Sequence, residues 1–193
     1  MDVADFVAAS WEFFRERGCV MPAGEPIATA ASLWCEGARG LIAGRPIAWT
    51  HRCAKGEILT VRAPSWQQRR AVIDSGWLVP LGDDCYKVGA TYEWDDLSPS
   101  ITAAARVELE QLARRLGGDG FEVVDHQAGV RPIVRRSQPV VGPVDETGTI
   151  LVCNGMGSKG TLTAPWAARA LVDWWCRGVP IEPELAARDY LQL

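Results

Sequence analysis

The chain has little of what polyanion-binding and membrane proteins carry in excess. Its 20 Lys and Arg are outnumbered by 24 Asp and Glu, a formal net charge of −4. The arginines are scattered along the chain, so no basic face for nucleic acid is expected. No apolar run approaches the length of a membrane span. The start, Met1-Asp2-Val3-Ala4-Asp5, is acidic and lacks the basic-then-apolar order of a secretory signal. A cytoplasmic protein without membrane contact is expected. Only two histidines, His51 and His126, stand beside six cysteines at positions 19, 35, 53, 85, 153 and 176, and no C-x-x-C pair occurs among them. That argues against a metal site and against a disulfide frame, and predicts reduced core thiols. Internal repeats and low-complexity linkers are also missing, so any second domain must be interleaved with the first.

What is present is enough apolar material for a core. A length of 193 residues with 48% hydrophobic content can bury one core, or two small ones that share an interface. Residues 2 to 17 read as a helix, with Val3, Phe6, Val7, Trp11 and Phe14 on one face, Asp2 as cap and Gly18 as stop. Ala28 to Cys35 reads as a strand running into the small-residue turn from Cys35 to Gly40, where backbone at Gly37 could approach a ligand. Period-two patterning covers Gly56 to Val61 and a hairpin from Trp77 to Trp94 that turns at Gly82-Asp83-Asp84. On it, Tyr86, Val88, Ala90, Tyr92 and Trp94 share one side. A helix from about Thr102 to Leu116 buries Ala105, Leu109, Leu112 and Leu116, carries a Glu110–Arg114 pair, and stops at Gly117-Gly118. Phe121 to Val134 reads as a long extended segment. The last helix, from Thr163 to Arg177, has Trp166, Ala167, Ala170, Leu171 and Trp174 as its apolar face. The fold class is α/β in the mixed, α+β sense.

Two motifs carry chemistry. The apolar strand from Thr149 to Cys153 runs into Gly155-Met156-Gly157-Ser158-Lys159-Gly160, a G-x-G-x-x-G spacing ahead of a helix. Glycines at such a turn let backbone N–H groups point at an anion or a polarised carbonyl, and the helix dipole adds partial positive charge. Ser158, Lys159 and Thr161 add side-chain donors. Only 33 residues follow Gly160, too few for the further strand and acidic residue that complete a dinucleotide-binding βαβ unit. A tight turn without ligand is the alternative. The second motif is Ala128-Gly129-Val130-Arg131-Pro132, which leaves an arginine at a strand end. A guanidinium there suits bidentate clamping of a carboxylate, although spacing alone favours an ordinary surface ion pair.

Five stretches, in this order, give the chain a resemblance: Cys35-Glu36-Gly37-Ala38, Lys55-Gly56-Glu57-Ile58-Leu59, Val88-Gly89-Ala90-Thr91-Tyr92-Glu93, Gly129-Val130-Arg131-Pro132, and Asn154 to Gly160. From Ala30 onward the sequence resembles the C-terminal half of the D-amino-acid oxidase-like FAD-dependent oxidoreductases, which include glycine oxidase, sarcosine oxidase and a tRNA-modifying oxidase. The resemblance implies a mixed-sheet substrate domain, residues 1–28 and 45–127. It is interleaved with the C-terminal part of an FAD/NAD(P)-binding Rossmann-like domain, residues 29–44 and 128–193. It implies FAD as cofactor, with Gly37, Gly129 and the loop of Gly155, Met156, Gly157, Ser158, Lys159, Gly160 and Thr161 near the flavin end. Arg131 would clamp the carboxylate of an amine or amino-acid substrate so that its Cα–H faces flavin N5. Where D-amino-acid oxidase itself holds the carboxylate with a tyrosine, this chain places Trp77. Tyr86 or Tyr92 could replace that contact only if their face lines the site.

Nothing before Ala30 resembles the family's N-terminal dinucleotide-binding strand, glycine turn and helix. Met1 is therefore expected to begin inside the fold, and a separate chain could supply the FAD-binding half. The alternatives are a non-catalytic remnant or partner-dependent binding subunit, and an oxidase domain related to tRNA wobble-uridine modification.

Overall fold

Alternation in residues 54–62 dictates the central element of the structure. Lys55, Glu57, Leu59 and Val61 alternate along one buried face of the strand that forms, Leu59 and Val61 against a helix, and the other face is open. In the computed structural model, which describes residues 3–20, 30–134 and 137–188, the chain divides into two units, Met1–Ala30 and Ala31–Leu193. The first contains helix α1, Val3–Glu16, held locally by a Glu12–Arg15 ion pair and by Arg17 over the Phe13 ring. Asp2, read as its cap, and Ala28, the expected start of the next strand, lie outside the described residues.

The second unit contains two sheets. The larger is antiparallel, in the order β3 (Val72–Ile73), β4 (Trp77–Gly82), β5 (Cys85–Gly89), β2 (Ala54–Arg62), β6 (Glu122–Arg131). Helix α3, Ala103–Gly117, covers one face. Leu109, Leu112, Ala113 and Leu116 recur at helical spacing and pack with Leu59, Val61, Leu78, Tyr86 and Val88 in a single core. Full burial of each leucine here contributes about 1.5–3 kcal/mol. Thr102 caps the helix by accepting from the Ala105 N–H at 3.2 Å, and Gly118 at φ 104° ends it.

The smaller sheet has the order β1 (Ser32–Trp34), β8 (Ile150–Asn154), β7 (Val140–Pro143). β1 runs parallel to β8, and β7 runs antiparallel to it. Helix α4, Gly160–Arg177, packs Ala167 and Leu171 against Val141 and Leu185. Gly178 in the left-handed conformation closes it, its N–H donating to the Trp174 carbonyl. Among the described residues, no helix is long and apolar enough to cross a membrane.

The elements differ from the sequence expectation at several points. Gly37–Ile42 forms a short helix, α2, where two glycines in six residues mask helical propensity. Val140–Pro143 pairs as β7 although its length is too short for a periodic signal. Helix α4 starts at Gly160, three residues earlier than expected, because a 3-10 turn at Gly157–Lys159 feeds straight into it.

Behind the open face of β2 lies a buried polar network. Lys55 is 1% exposed and Glu57 2%. The Lys55 ammonium bonds Asp96 at 2.8 Å and lies 3.5 Å from Glu57. Glu57 in turn accepts from the Thr102 N–H and hydroxyl, both at 2.9 Å, and His126 Nε2 lies 2.8 Å from it. Burying these charges is tolerable because each is paired and hydrogen-bonded. The Lys55 ammonium, aided by the Ser98 N–H and hydroxyl, holds the Asp96 carboxyl down to about 2. A depressed carboxylate stabilises the fold fully above its ordinary value near about 4 and loses that contribution as pH falls toward its folded value. The urea midpoint should therefore fall between about pH 4 and pH 2. Asp96→Asn should lower the midpoint at neutral pH and make this acid loss shallower; an unchanged midpoint at neutral pH would show the pair to be without weight.

Candidate active site

Residues paired across antiparallel strands share a face. Leu59, Val88 and Leu78 are paired and face α3, so Ile58, Gly89, Trp77 and Gln127 face away from it. Gly129, opposite Gly56, and Arg131, opposite Ala54, lie on that same open face.

A one-residue slip decides which aromatics join them. Ile58 pairs with Gly89, but further along Lys55 pairs with Glu93 rather than with position 92. The Thr91 N–H donates to the Glu57 carbonyl, and the Thr91 hydroxyl accepts from the Glu57 N–H at 2.9 Å. Ala90 is thus the inserted residue, and an insertion of one transfers every later side chain to the opposite face. β5 ends at Gly89 instead of running to Trp94. Tyr86 stays in the core, its hydroxyl donating to the Trp66 carbonyl at 2.8 Å, whereas Tyr92 and Trp94 turn outward, 50% and 53% exposed.

Tyr92 meets Arg131 there. The guanidinium carbon lies 3.9 Å from the Tyr92 ring centroid, a cation–π contact. Nη1 donates to the Lys55 carbonyl at 3.0 Å and Nη2 to the Thr91 carbonyl at 3.2 Å. Each Nη keeps a second N–H, so a forked donor remains. A Cβ at position 56 would stand 2.2 Å from Nη2 and 2.5 Å from the guanidinium carbon; glycine at 56 lets the group lie against the β2 backbone. No ion pair among the described residues involves Arg131. Burial pushes its pKa down from the ordinary arginine value, yet arginine stays charged in proteins.

Beside this stack, Tyr92 and Trp94 line a cavity of about 370 Å³ together with Arg52, Ile133, Ser137, Pro139, Met156, Gly157, Ser158, Lys159 and Thr163. The loop that forms one wall is fixed from behind. Gly155 has φ +79°, and a Cβ there would meet Val134 at 3.0 Å and the Gln138 carbonyl at 3.1 Å. Its N–H donates to the Asn154 side chain at 2.7 Å, and the Asn154 amide donates to the Gly37 carbonyl at 3.0 Å. The Gly157 N–H donates to the Pro132 carbonyl at 2.9 Å, which joins the loop to the strand end that carries Arg131. Among the described residues, no group of three His, Cys, Asp or Glu is placed to hold a metal.

The expected site residues therefore fall into distinct places. Met156, Gly157, Ser158 and Lys159 line the cavity, Gly155 braces it, and Gly160 and Thr161 open α4 outside the lining. Gly37 stands behind the loop, and Gly129 lies out on the open sheet face. Trp77 is not in the cavity lining; its ring lies against Gly89 instead. Arg52 and Trp94 were not legible as site residues. Arg52 stands in a segment without periodicity, and Trp94 counted as a member of an apolar stripe that the slip at Ala90 breaks.

Gly155→Ala should destabilise the fold by about 1–2 kcal/mol for the left-handed backbone alone, and by more for the Val134 contact. Urea denaturation measures this, and a midpoint equal to that of the unsubstituted protein would show the loop to be unconstrained.

An antiparallel sheet with one open face thus stands beside a cavity built on a strand, a glycine loop and a helix. Residues 10–174 match the DAO family of FAD dependent oxidoreductases, and the chain belongs to that family. Its fold is similar to iminodiacetate oxidase from Chelativorans sp. BNC1, with a TM-score of 0.69 and 23% identity over 82% of this chain and 45% of that one. It is also similar to glycine oxidase from Geobacillus kaustophilus, with a TM-score of 0.68 and 24% identity over 78% of this chain and 43% of that one. A stretch of 85 residues is 35% identical to the tRNA 5-methylaminomethyl-2-thiouridine biosynthesis bifunctional protein MnmC of Burkholderia lata, covering 40% of this chain and 13% of that protein. The chain thus spans less than half the length of these relatives.

Proposed function

We propose that this chain forms the substrate-binding and flavin-ring-receiving part of an FAD-dependent amine or amino-acid oxidoreductase. The observation that carries the reading is the Arg131–Tyr92 stack, a charged fork without an acidic partner among the described residues; Arg131 is not itself in the cavity lining, but the Tyr92 ring it stacks on lines the cavity walled by Met156 to Lys159.

The residues present fit a flavin. The cavity falls within the volume range of cofactor and ligand sites, Tyr92 and Trp94 offer aromatic walls, and Arg52 and Lys159 place positive charge at the rim. Helix α4 begins without a side-chain cap, and the positive end of its dipole favours a carbonyl or anion there. When bound, FAD supplies the two-electron redox chemistry. Arg131 binds the substrate carboxylate through the N–H groups its backbone contacts leave open. Holding that carboxylate orients the amine-bearing carbon and converts binding energy into alignment. Tyr92 and Trp94 shield the site from water, which strengthens the charge interaction.

The rest of the family's fold, on this polypeptide or on a partner, completes the site by adding a dinucleotide-binding βαβ unit beside β1. Support comes from the strand order: among the described residues β1 is the edge of its sheet and is already parallel to β8, and parallel sheets are covered on both faces. Leu33, Val172 and Trp175 are exposed around that edge.

A second reading places the amine on tRNA, favoured by the 85-residue likeness to a tRNA-modifying protein. In the protein assembled with FAD, Arg131→Met should raise KM for a small amino acid by about 10–100-fold, the weight of a charge-assisted bidentate contact, and leave the flavin spectrum unchanged. The same variant should leave KM for an amine without carboxylate unchanged. Equal losses for both amines would contradict the clamp, and turnover of tRNA alone would favour the second reading.

A further inference from the structure

Two cysteines outside the cavity form a site of their own. Along the parallel pair β1–β8, Ser32, Leu33 and Trp34 stand opposite Ile150, Leu151 and Val152. The next step of the register brings Cys35 opposite Cys153. Partners in adjacent strands share a face, and Leu33 with Leu151, one pleat earlier, lines the apolar groove beside Leu171, Val172, Trp175 and Cys176. The two thiols therefore project on the α4 side of the sheet, where Cys153 packs against the cluster of Val141, Ala167 and Leu171. Set side by side by that register, the two thiols influence one another: Cys153 holds the Cys35 thiol down to about 7 against the opposing effect of burial, and Cys35 pushes Cys153 up. Cys35 is exposed and Cys153 half-buried. One sulfur is thus accessible and acidic, and the other stays protonated beside it, the division of labour between an attacking and a resolving thiol.

We propose that Cys35 and Cys153 are a two-electron redox pair that closes to a disulfide on reaction with a peroxide. The Cys35 thiolate attacks one peroxide oxygen. The O–O bond breaks, an S–O bond forms, and Cys35 becomes a sulfenic acid as the leaving hydroxide takes a proton to become water. The Cys153 thiol then gives up its proton, its sulfur displaces the hydroxide from Cys35, and a second water leaves. Two thiols are oxidised, one hydrogen peroxide is reduced to two waters, and the S–S bond joins the strand ends that lead into Gly37 and Gly155. The pair stands independently of the flavin assignment, since neither sulfur lines the cavity.

The test treats the purified protein with a small excess of hydrogen peroxide at pH 7, blocks remaining thiols by alkylation, and maps the unreduced digest by mass. A Cys35–Cys153 linked peptide is expected, with Cys35 alkylated about tenfold faster than exposed Cys19 or Cys176 before oxidation, as its larger thiolate fraction requires. In Cys153→Ser, oxidation should stop at a sulfenic acid on Cys35 that dimedone traps. Equal alkylation rates with no linked peptide, or a link from Cys35 to Cys176 instead, would overturn the proposal. Because the primary readout uses the unsubstituted protein, failure of the variant to fold does not rescue it.

Discussion

The constraint on which the site depends is the seating of one guanidinium. Arg131 lies against a strand backbone that only glycine at position 56 leaves bare, its Nη atoms bound to the Lys55 and Thr91 carbonyls and its plane beside the Tyr92 ring. Three segments meet there: β6 supplies the arginine, β2 the floor and one carbonyl, and the stretch after β5 the ring and the second carbonyl. A charged group ordered by three segments loses little further freedom when it grips a ligand, which is the physical content of preorganisation.

That seating is supported from the other face of β2. The side chains of Lys55 and Glu57 point into the buried side, yet their backbone groups hold Arg131, Thr91 and Glu93. Lys55 reaches Asp96 and so ties down the segment that carries Tyr92 and Trp94, while Glu57 anchors the start of α3. Stability and site geometry therefore share the same two residues. The smaller sheet repeats the logic at the loop, where Asn154 links Gly155 to Gly37 and Gly157 bonds the Pro132 carbonyl just beyond Arg131.

Much of this was legible from the residues. Helical spacing of Leu109, Leu112 and Leu116 located α3, and the Glu110–Arg114 pair forms, at 3.7 Å. The glycine run from 155 to 160 marked the loop that walls the cavity. What stayed hidden depended on register. Strict alternation sends Tyr92 and Trp94 to the same side as Tyr86, and only the extra residue at Ala90, fixed by tertiary hydrogen bonds from Thr91 to Glu57, reverses them. A slip of one residue leaves no mark in composition or periodicity. Trp77 shows the converse, an aromatic on the open face whose ring packs against Gly89 rather than in the cavity. The polar Lys55 and Glu57 gave no sign of burial because their partners, Asp96 and Thr102, lie some forty residues away.

The most direct test of the account is a crystal structure of the protein assembled with FAD and an unreactive amine carboxylate. The account predicts both carboxylate oxygens on the Arg131 Nη atoms, with the Lys55 and Thr91 carbonyl bonds retained and the ligand beside Tyr92. A carboxylate bound elsewhere, with Arg131 still serving only those two carbonyls, would contradict it.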